Sequence, residues 1–381
     1  MPLPLSGITV VALEQAVAAP FASRQLADLG ARVIRIERDT GDFARGYDDR
    51  VRGMSSYVVW LNRGKESVVL DLKDPSDFEV LLSIVHEADV LLQNLAPGAI
   101  DRLGLSAAAA LEINPRLIFT SISGYGTGGD YGSRKAYDLL IQCESGLLSV
   151  TGSSDQPAKV GISIADIAAG MYAYSGILAA LVNRERTGLG DILEISMLEA
   201  MGEWMSQPLY FAMYGGAAPE RSGAEHASIA PYGPFSARNG TVFLAVQSER
   251  EWLRFCTHFL GVPTLAADQR FASNNARVAN RQELRNIIES VVRERSVEDN
   301  LTLLDEAQIA NAQLKTMLEF AEHSQLHARG RWREIDSPVG AISVLVPPVT
   351  GRSLDYALGE IVELGKHTDA VKAEFGAAAE C

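Results

Sequence analysis

Short apolar runs alternate with helix-like patterns through the first half of the chain, which is typical of a parallel α/β sheet. The runs predict six strands, at Ile8–Leu13, Arg32–Glu37, Ser67–Leu72, Asp89–Leu95, Leu117–Ser123 and Asp191–Met197. Amphipathic or apolar stretches between them predict helices at about Pro20–Gly30, Pro75–Glu87, Asp138–Ser149 and Ile164–Arg186. A further helix is expected to begin near Leu198.

The pattern changes near residue 215. The segment Gly215–His226 is rich in glycine, alanine and charged residues and predicts a loop or linker. From Tyr232 to about Thr316 the pattern of apolar and polar positions predicts a smaller α+β unit. Its predicted elements are a strand at Thr241–Gln247 and helices near Glu251–Phe259 and Gln282–Arg293. After Gly330 we expect short strands, such as one at Ala341–Val346, and a helix at Asp369–Phe375.

Composition narrows the choice of function class. The 381 residues carry a formal charge of −14, which disfavours a nucleic-acid surface but leaves room for locally clustered arginines that bind phosphate. The three cysteines are too few and too scattered for a disulfide framework, so we expect a cytoplasmic protein. No signal peptide is expected. Residues 161–182 are long enough to span a membrane, but the stretch contains Asp166 and many small residues, so we predict a core helix and no membrane partner.

Three features carry candidate chemistry. Asp166 is the one ionisable side chain in that apolar run, so it is either a helix cap or buried ion-pair partner, or a carboxylate nucleophile or base. The loop Gly124–Gly129 follows the fifth strand, where parallel sheets place ligand sites, and is either a tight turn or a ligand cradle. The early basic clusters, Arg35/Arg38/Arg45 and Asn62–Lys65, are either solvated surface or an anion site. No zinc-hydrolase or serine-hydrolase motif is present.

At the level of whole motifs, the sequence resembles the family III, or CaiB/BaiF, CoA-transferases. The resemblance is carried by eight segments in chain order: Leu5–Arg38, Leu61–Lys73, Gln93–Leu105, Ile122–Gly129, Lys135–Gln142, Gly161–Ala173, Arg186–Leu198 and Leu364–Val371. It is weakest from about residue 215 to 330. It implies a large Rossmann-like parallel-sheet domain over residues 1–214, completed by 331–381, and a linker with a small α+β domain over 215–330. It also implies an interlocked homodimer.

The resemblance implies a mechanism and a set of site residues. Asp166 matches the nucleophilic aspartate, which would form an acyl anhydride and then an aspartyl-CoA thioester. Lys135 and Tyr137 match positions that line the acyl site, and Val17 stands where formyl-CoA transferase has a glutamine. The residues implied for CoA binding are Arg38, Asn62, Lys65, Asn94 and Arg102. No metal or organic cofactor is expected, because CoA itself is a substrate.

The acyl donor and acceptor stay open on the sequence alone. Val17 removes a polar contact and puts an oxalate or formyl specificity in doubt, so we expect exchange between succinyl-CoA and a small dicarboxylate, with an aryl or carnitine-like acid as the other substrate class left open. The alternative is the 2-methylacyl-CoA racemase branch of the same fold, which carries a histidine where this chain has Tyr137. A tyrosine is a poor group for α-proton transfer at neutral pH, which favours the transferase. An inactive CoA-binding module is disfavoured by Asp166, and a nicotinamide dehydrogenase by the lack of GxGxxG after Leu13.

Overall fold

The computed structural model describes residues 2–376 and contains eleven strands in that range. They are β1 Thr9–Leu13, β2 Arg32–Glu37, β3 Lys65–Val69, β4 Val90–Gln93, β5 Ile118–Ser123, β6 Asp191–Ser196, β7 Tyr232–Ala237, β8 Gly240–Ala245, β9 Ala310–Gln313, β10 Trp332–Ile335 and β11 Ile342–Leu345. The strand predicted at Ser67–Leu72 begins two residues earlier. The pattern had not indicated β7 or β9, and β10 is one of the short strands expected after Gly330.

Helices connect these strands. They are α1 Ala18–Asp28, α2 Ser56–Leu61, α3 Pro75–Glu87, α4 Ala99–Arg102, α5 Ala107–Ile113, α6 Asp138–Glu144, α7 Leu147–Val150, α8 Ile164–Thr187, α9 Met197–Trp204, α10 Ser206–Gly215, α11 Glu249–Arg254, α12 Asn274–Ala279, α13 Arg281–Val292, α14 Val297–Glu306, α15 Met317–Ala321, α16 Ser324–Ala328 and α17 Thr368–Gly376. Two 3₁₀ segments, Phe43–Gly46 and Pro263–Ala267, and a π-helical turn, Phe255–Phe259, complete the set. The helix predicted at Asp138–Ser149 is broken at Ser145–Gly146.

The first six strands form one parallel sheet in the order β3-β2-β1-β4-β5-β6. The order reverses between β1 and β4, and open α/β sheets bind ligands at such a reversal, outside the carboxyl ends of the strands. The predicted fold class, a Rossmann-like parallel sheet with a smaller α+β part, is confirmed.

Side chains alternate between the two faces of this sheet. Val11 and Leu13 join a core formed with α3, α5 and α17, whereas Val10 and Ala12 are buried outside that cluster. Helices α1 and α8 pack closely together. A Cβ added at Gly170 of α8 would lie 2.6 Å from the carbonyl oxygen of Ala18, so this approach requires glycine.

Helix α8 is the segment whose length and apolar composition would allow a membrane span. Within its most apolar stretch 44% of the residues are buried inside the chain, where α8 packs against α1, β5, β6 and α9. The face with Met171, Tyr172 and Val182 is exposed. One helix of this kind is weak evidence for a membrane protein, since core helices have the same composition.

The carboxy-terminal segment covers the edge strand β3. The backbone N–H of Ser67 donates to Nδ1 of His367 at 3.2 Å, and the N–H of Val69 donates to the hydroxyl of Thr368 at 2.9 Å. These side chains satisfy donors that a sheet edge otherwise exposes. The motif Leu364–Val371 therefore has a structural role at the sheet edge.

The described chain divides into two compact units. The larger comprises the residues up to Gly146, Val160–Gln207 and those from His327 onward; the smaller comprises Leu147–Lys159 and Pro208–Leu326. In the smaller unit, β7, β8 and β9 form an antiparallel sheet over a core that includes Trp252, Phe255 and Phe259. The predicted 331–381 segment extends to residues 377–381, which lie outside the described range.

Candidate active site

The carboxylate of Asp166 lies in the first turn of α8. The helix N-cap, Ser163, makes no side-chain capping hydrogen bond. Burial, together with the nearby negative charge of Asp138, raises the pKa of Asp166 from its ordinary value of 3.8 to about 7. No hydrogen bond or ion pair to the Asp166 carboxylate is found within residues 2–376. Its charged form is therefore poorly stabilised, which favours a reactive group over a structural cap.

Asp138, and not Asp166, accepts a hydrogen bond from the backbone at the amino end of α8. Its Oδ1 accepts a hydrogen bond of 2.8 Å from the backbone N–H of Ala165, and its Oδ2 accepts one of 2.7 Å from Nε2 of Gln142. The bond from Ala165 holds the amino end of α6 beside the amino end of α8, and the bond from Gln142 lies within α6. Two carboxylates therefore lie close together. Asp138 accepts two hydrogen bonds, and the carboxylate of Asp166 accepts none within residues 2–376.

A cavity of about 450 Å³, which we call the Asp166 cavity, opens around this carboxylate. Its walls come from the segments after β1, β4 and β5, at the reversal of the strand order. The sequence-predicted residues Val17, Asn94, Lys135 and Tyr137 line it together with Asp166. The wall also includes aromatic side chains, Phe43, Tyr47 and Tyr57.

The turn between β1 and α1 is held by side chains from the loops that follow β2 and β4. Ala16 has a φ of 58°, which is uncommon for a residue with a Cβ, and its N–H donates to Oδ2 of Asp42 at 3.0 Å. The side-chain amide of Asn94 accepts from the N–H of Gln15 at 2.8 Å and donates to its carbonyl at 2.9 Å. Asn94 therefore shapes the cavity wall as well as lining it.

The segment with Lys135 and Tyr137 reaches the cavity because of one glycine. A Cβ added at Gly124, directly after β5, would lie 2.1 Å from the Cβ of Ala136. Further along the same loop, Gly126, Thr127 and Gly128 line a neighbouring cavity of about 430 Å³. The hydroxyl of Thr127 donates to Glu194 at 2.8 Å, so the loop is both a fixed turn and a cavity wall.

A third cavity, of about 200 Å³, lies outside the carboxyl ends of β1, β2 and β3, and we call it the Arg38 cavity. Apolar side chains from these strand ends line it: Leu13, Ile36, Leu70 and Leu72. Two exposed cations, Arg38 and Lys73, line it as well, and neither makes an ion pair in the described chain. Gln15 and Leu95 line both this cavity and the Asp166 cavity.

Lys65 and Asn62, the residues expected to contact CoA phosphates, are both buried, so their contact with CoA stays a prediction that this burial disfavours. The Lys65 side chain is 1% exposed, and its Nζ donates to Glu14 at 2.6 Å, to the carbonyl of Pro20 at 3.0 Å and to Asn62 at 3.3 Å. These three bonds use all the donors of the ammonium group. The physical reason is position: Lys65 begins β3 and Asn62 precedes it, whereas the ligand loops follow the strands.

Arg102 lies at the end of α4 and is exposed, with one long contact of 3.5 Å to the carbonyl of Pro97. It lines neither the Asp166 cavity nor the Arg38 cavity. Its expected contact with CoA stays a prediction.

Sequence reasoning missed two cations that the structure places in the cavities, Lys73 and Arg134. Lys73 ends the motif Leu61–Lys73 and follows β3, so the rule that ligands bind beyond strand carboxyl ends could have selected it over Lys65. Arg134 precedes Lys135 directly. Sequence offers no signal for it, because its exposure and neighbours depend on the fold of the loop.

The geometry can be compared with known proteins. The family model described as CoA-transferase family III matches residues 5–360. The chain belongs to CoA-transferase family III. The family places this protein among CoA-transferase enzymes, as the resemblance of its motifs implied.

Two relatives with named activities support this membership. A succinate–glutarate CoA-transferase of Agrobacterium fabrum is 32% identical, over 97% of this chain and 95% of its own length. An acetyl-CoA:oxalate CoA-transferase of Acetobacter aceti is 36% identical, over 86% of this chain and 84% of its own. Among solved structures, a CaiB/BaiF family protein from Brucella suis superposes with a TM-score of 0.87 at 32% identity, covering 98% of this chain and all of that one.

Proposed function

We propose that this family III CoA-transferase exchanges CoA between an acyl-CoA and a free carboxylic acid through covalent intermediates on Asp166. The observation that carries the proposal is the state of this carboxylate. It lies in the wall of a large cavity at the strand reversal, its pKa is raised to about 7, and no hydrogen-bond donor stabilises it within residues 2–376. Such a carboxylate is more nucleophilic than a solvated one.

The proposed reaction proceeds in balanced steps. An Asp166 oxygen attacks the thioester carbonyl, the C–S bond breaks, and CoA leaves as the thiolate from an acyl–aspartyl anhydride. The thiolate attacks the aspartyl carbonyl, which releases the first acid and leaves an aspartyl-CoA thioester. The second acid attacks this thioester to form a new anhydride, and the thiolate then takes the new acyl group and frees Asp166. The thioester bond energy is kept throughout, so we propose that no resident cofactor takes part.

The two adjoining cavities suit an extended CoA molecule. The apolar walls of the Arg38 cavity can hold the adenine, while Arg38 and Lys73, which are unpaired in the described chain, can contact phosphates. Carboxylates line this cavity too, and those of Glu14, Glu37 and Asp42 are paired with the buried cations Arg35 and Lys65. Because Gln15 and Leu95 border both cavities, a chain laid along them leads from the Arg38 cavity to Asp166. Lys73 takes the place that we had assigned to Lys65.

We propose a small dicarboxylate as the acid, with succinyl-CoA as the donor. The name of the Agrobacterium relative supports this class, and the apolar Val17 in the cavity wall offers no polar contact to a small acid such as oxalate. The name of the Acetobacter relative includes oxalate, so both acids belong in the first assay. The racemase alternative is not favoured, since the matched family and these relatives are named for CoA transfer.

A CoA-exchange assay tests the proposal. Wild-type protein is incubated with succinyl-CoA and a panel of free acids, and new acyl-CoA species are identified by mass spectrometry. We expect transfer by the wild type and none above background by Asp166→Ala, with both proteins equally folded by circular dichroism. Transfer by Asp166→Ala at a rate close to that of the wild type would contradict the proposal.

We also propose a homodimer in the cytoplasm, with the interlocked arrangement that the family resemblance implies. Large apolar side chains are exposed in each unit of the chain, which is typical of surfaces covered in an assembly. In the larger unit they include Val182, Leu189 and Ile192, and in the smaller unit Tyr210 and Tyr214 of α10. The cytoplasmic proposal is supported by Cys143 and Cys256, both of which are free thiols.

A further inference from the structure

The charge balance of the Asp166 cavity raises the question of how a second carboxylate could bind there. Asp138 and Asp166 both line the cavity, and two negative groups repel an entering dicarboxylate. A monocarboxylic acyl group brings no additional charge beyond its reacting end. A dicarboxylic one therefore needs a cation in the cavity wall, placed for its distal end.

Among the described residues that line the cavity, Arg134 and Lys135 are the cations. The guanidinium of Arg134 lies over the ring of Tyr131, 3.7 Å from its centroid, and Tyr131 in turn packs edge-on against Tyr125 at 5.2 Å. Stacking on an aromatic face fixes the plane of a guanidinium and leaves its N–H edge free. No carboxylate pairs with Arg134 within residues 2–376, so that edge has no charged partner there.

The chemistry of the two cations differs. Lysine presents a compact point charge, whereas the fork of N–H groups in arginine matches the two oxygens of a carboxylate. A stacked arginine without a partner in a carboxylate-lined cavity is therefore suited to the distal carboxylate of a diacid. We propose that Arg134 is the residue that selects dicarboxylic acyl groups in this enzyme, a proposal that rests on the CoA transfer proposed above.

The test compares acids that differ only at the distal end. Glutarate and pentanoate have the same chain length, but pentanoate has a methyl group in place of the second carboxylate. With succinyl-CoA as donor, Arg134→Gln should lower kcat/KM for glutarate about 10–100-fold, the worth of one charge-assisted contact, and leave kcat/KM for pentanoate unchanged. The kcat/KM of Arg134→Lys for glutarate should lie between the values of the wild type and of Arg134→Gln. Arg250→Gln, which changes an exposed arginine of the smaller unit, should have the kcat/KM of the wild type for both acids.

Donors give a second comparison, with acetate as the acceptor. Arg134→Gln should raise KM for succinyl-CoA but not for butyryl-CoA, which has the same length without the distal charge. If both donors and both acids lose activity equally, Arg134 contacts a phosphate of CoA or supports the loop, and the proposal is overturned. Equal activity of variant and wild type with glutarate overturns it as well.

A binding measurement keeps this inference separable from the transfer mechanism. Glutarate should raise the melting temperature of Asp166→Ala, which cannot form the anhydride, and should not raise that of the Asp166→Ala/Arg134→Gln double variant. Pentanoate should affect the two proteins equally. If wild type fails to transfer CoA but this difference in binding persists, the proposed function fails and the role of Arg134 stands. If the two proteins respond alike to glutarate, the role of Arg134 is refuted whatever the activity.

Discussion

At the scale of single residues, two kinds of ionisable side chain stand out in this protein, one paired and one unpaired. Lys65 and Glu14 are buried and paired in a network that also includes Arg35, whereas the carboxylate of Asp166 lines a cavity and has no partner for its charge within the described chain. The first arrangement holds the sheet together. The second costs stability and is retained, we infer, for reactivity.

The cost at Asp166 gives a pH-dependent prediction. Its folded pKa of about 7 lies above the ordinary value of 3.8, so its contribution to stability falls as the pH rises from about 4 to about 7. Asp166→Asn, which stays neutral, should therefore match the wild type at pH 4 and be more stable by roughly 1–3 kcal/mol at pH 8. Urea unfolding at a series of pH values measures the difference. A variant less stable than the wild type at pH 8 would show that the carboxylate is a structural partner.

A second prediction distinguishes a structural role of Lys65 from a CoA-binding role of Arg38. Lys65→Ala should lose about 3–5 kcal/mol of unfolding free energy, because it breaks a buried ion pair and leaves the Glu14 carboxylate with only Arg35, at 3.3 Å, and the hydroxyl of Ser23 as buried partners. Arg38→Ala should leave stability unchanged and raise KM for the acyl-CoA about tenfold or more. The two effects are read from urea unfolding and steady-state kinetics. An unchanged stability with a raised KM in Lys65→Ala would restore the expectation that Lys65 contacts CoA.

These residues also show what the sequence could and could not predict. Asp166 stood out because it interrupts an apolar run, and the motif resemblance matched it to the family nucleophile. The burial of Lys65 could not be read from its motif, since the same letters fit a surface loop or a buried ion pair. Only the residues of a motif that follow the carboxyl end of a strand face the ligand, and the letters of the motif do not show where the strand ends.

At the scale of elements, the predicted strands of the large sheet and most of its helices match the structure, because their apolar patterns are long and regular. The helix α3 has the predicted bounds, Pro75–Glu87, with Asp74 as its N-cap and proline in its first turn. The strand β7 was missed because its six residues include Gly233 and Pro234, and β9 because it has four residues and no apolar side chain larger than alanine. The role of Asp138 as a cap for α8 was also missed, since it depends on a contact between two helices.

The close packing of α1 and α8 gives an element-scale prediction with a control in the same helix. A Cβ at Gly170 would lie 2.6 Å from the carbonyl oxygen of Ala18, whereas one at Gly176 would meet only Leu193, at 3.5 Å. Gly170→Ala should cost roughly 1–3 kcal/mol and lower activity, because it displaces the helix turn after Asp166. Gly176→Ala should be neutral or stabilising by up to about 1 kcal/mol. Equal stabilities of the two variants would contradict the packing described here.

At the scale of the whole molecule, the exposed apolar side chains on α8, β6 and α10 are the feature that one chain leaves unexplained. Light scattering coupled to size-exclusion chromatography should give twice the chain mass of 41.1 kDa. If the two chains interlock, mixed tagged and untagged dimers should not form on mixing folded proteins but should form after joint unfolding and refolding. A monomer at micromolar concentration would contradict the dimer, and rapid exchange of subunits would contradict the interlocking alone.

The central claim, that the side chain of Asp166 becomes covalently activated during transfer, is tested most directly by trapping. Wild-type protein is incubated with succinyl-CoA and hydroxylamine, which converts an anhydride or thioester of the side chain to a hydroxamate, and is then digested and sequenced by mass spectrometry. We predict a gain of about 15 Da on Asp166, dependent on succinyl-CoA, as covalent catalysis on a carboxylate requires. A label on another carboxylate, or no label while CoA transfer continues, would contradict the account.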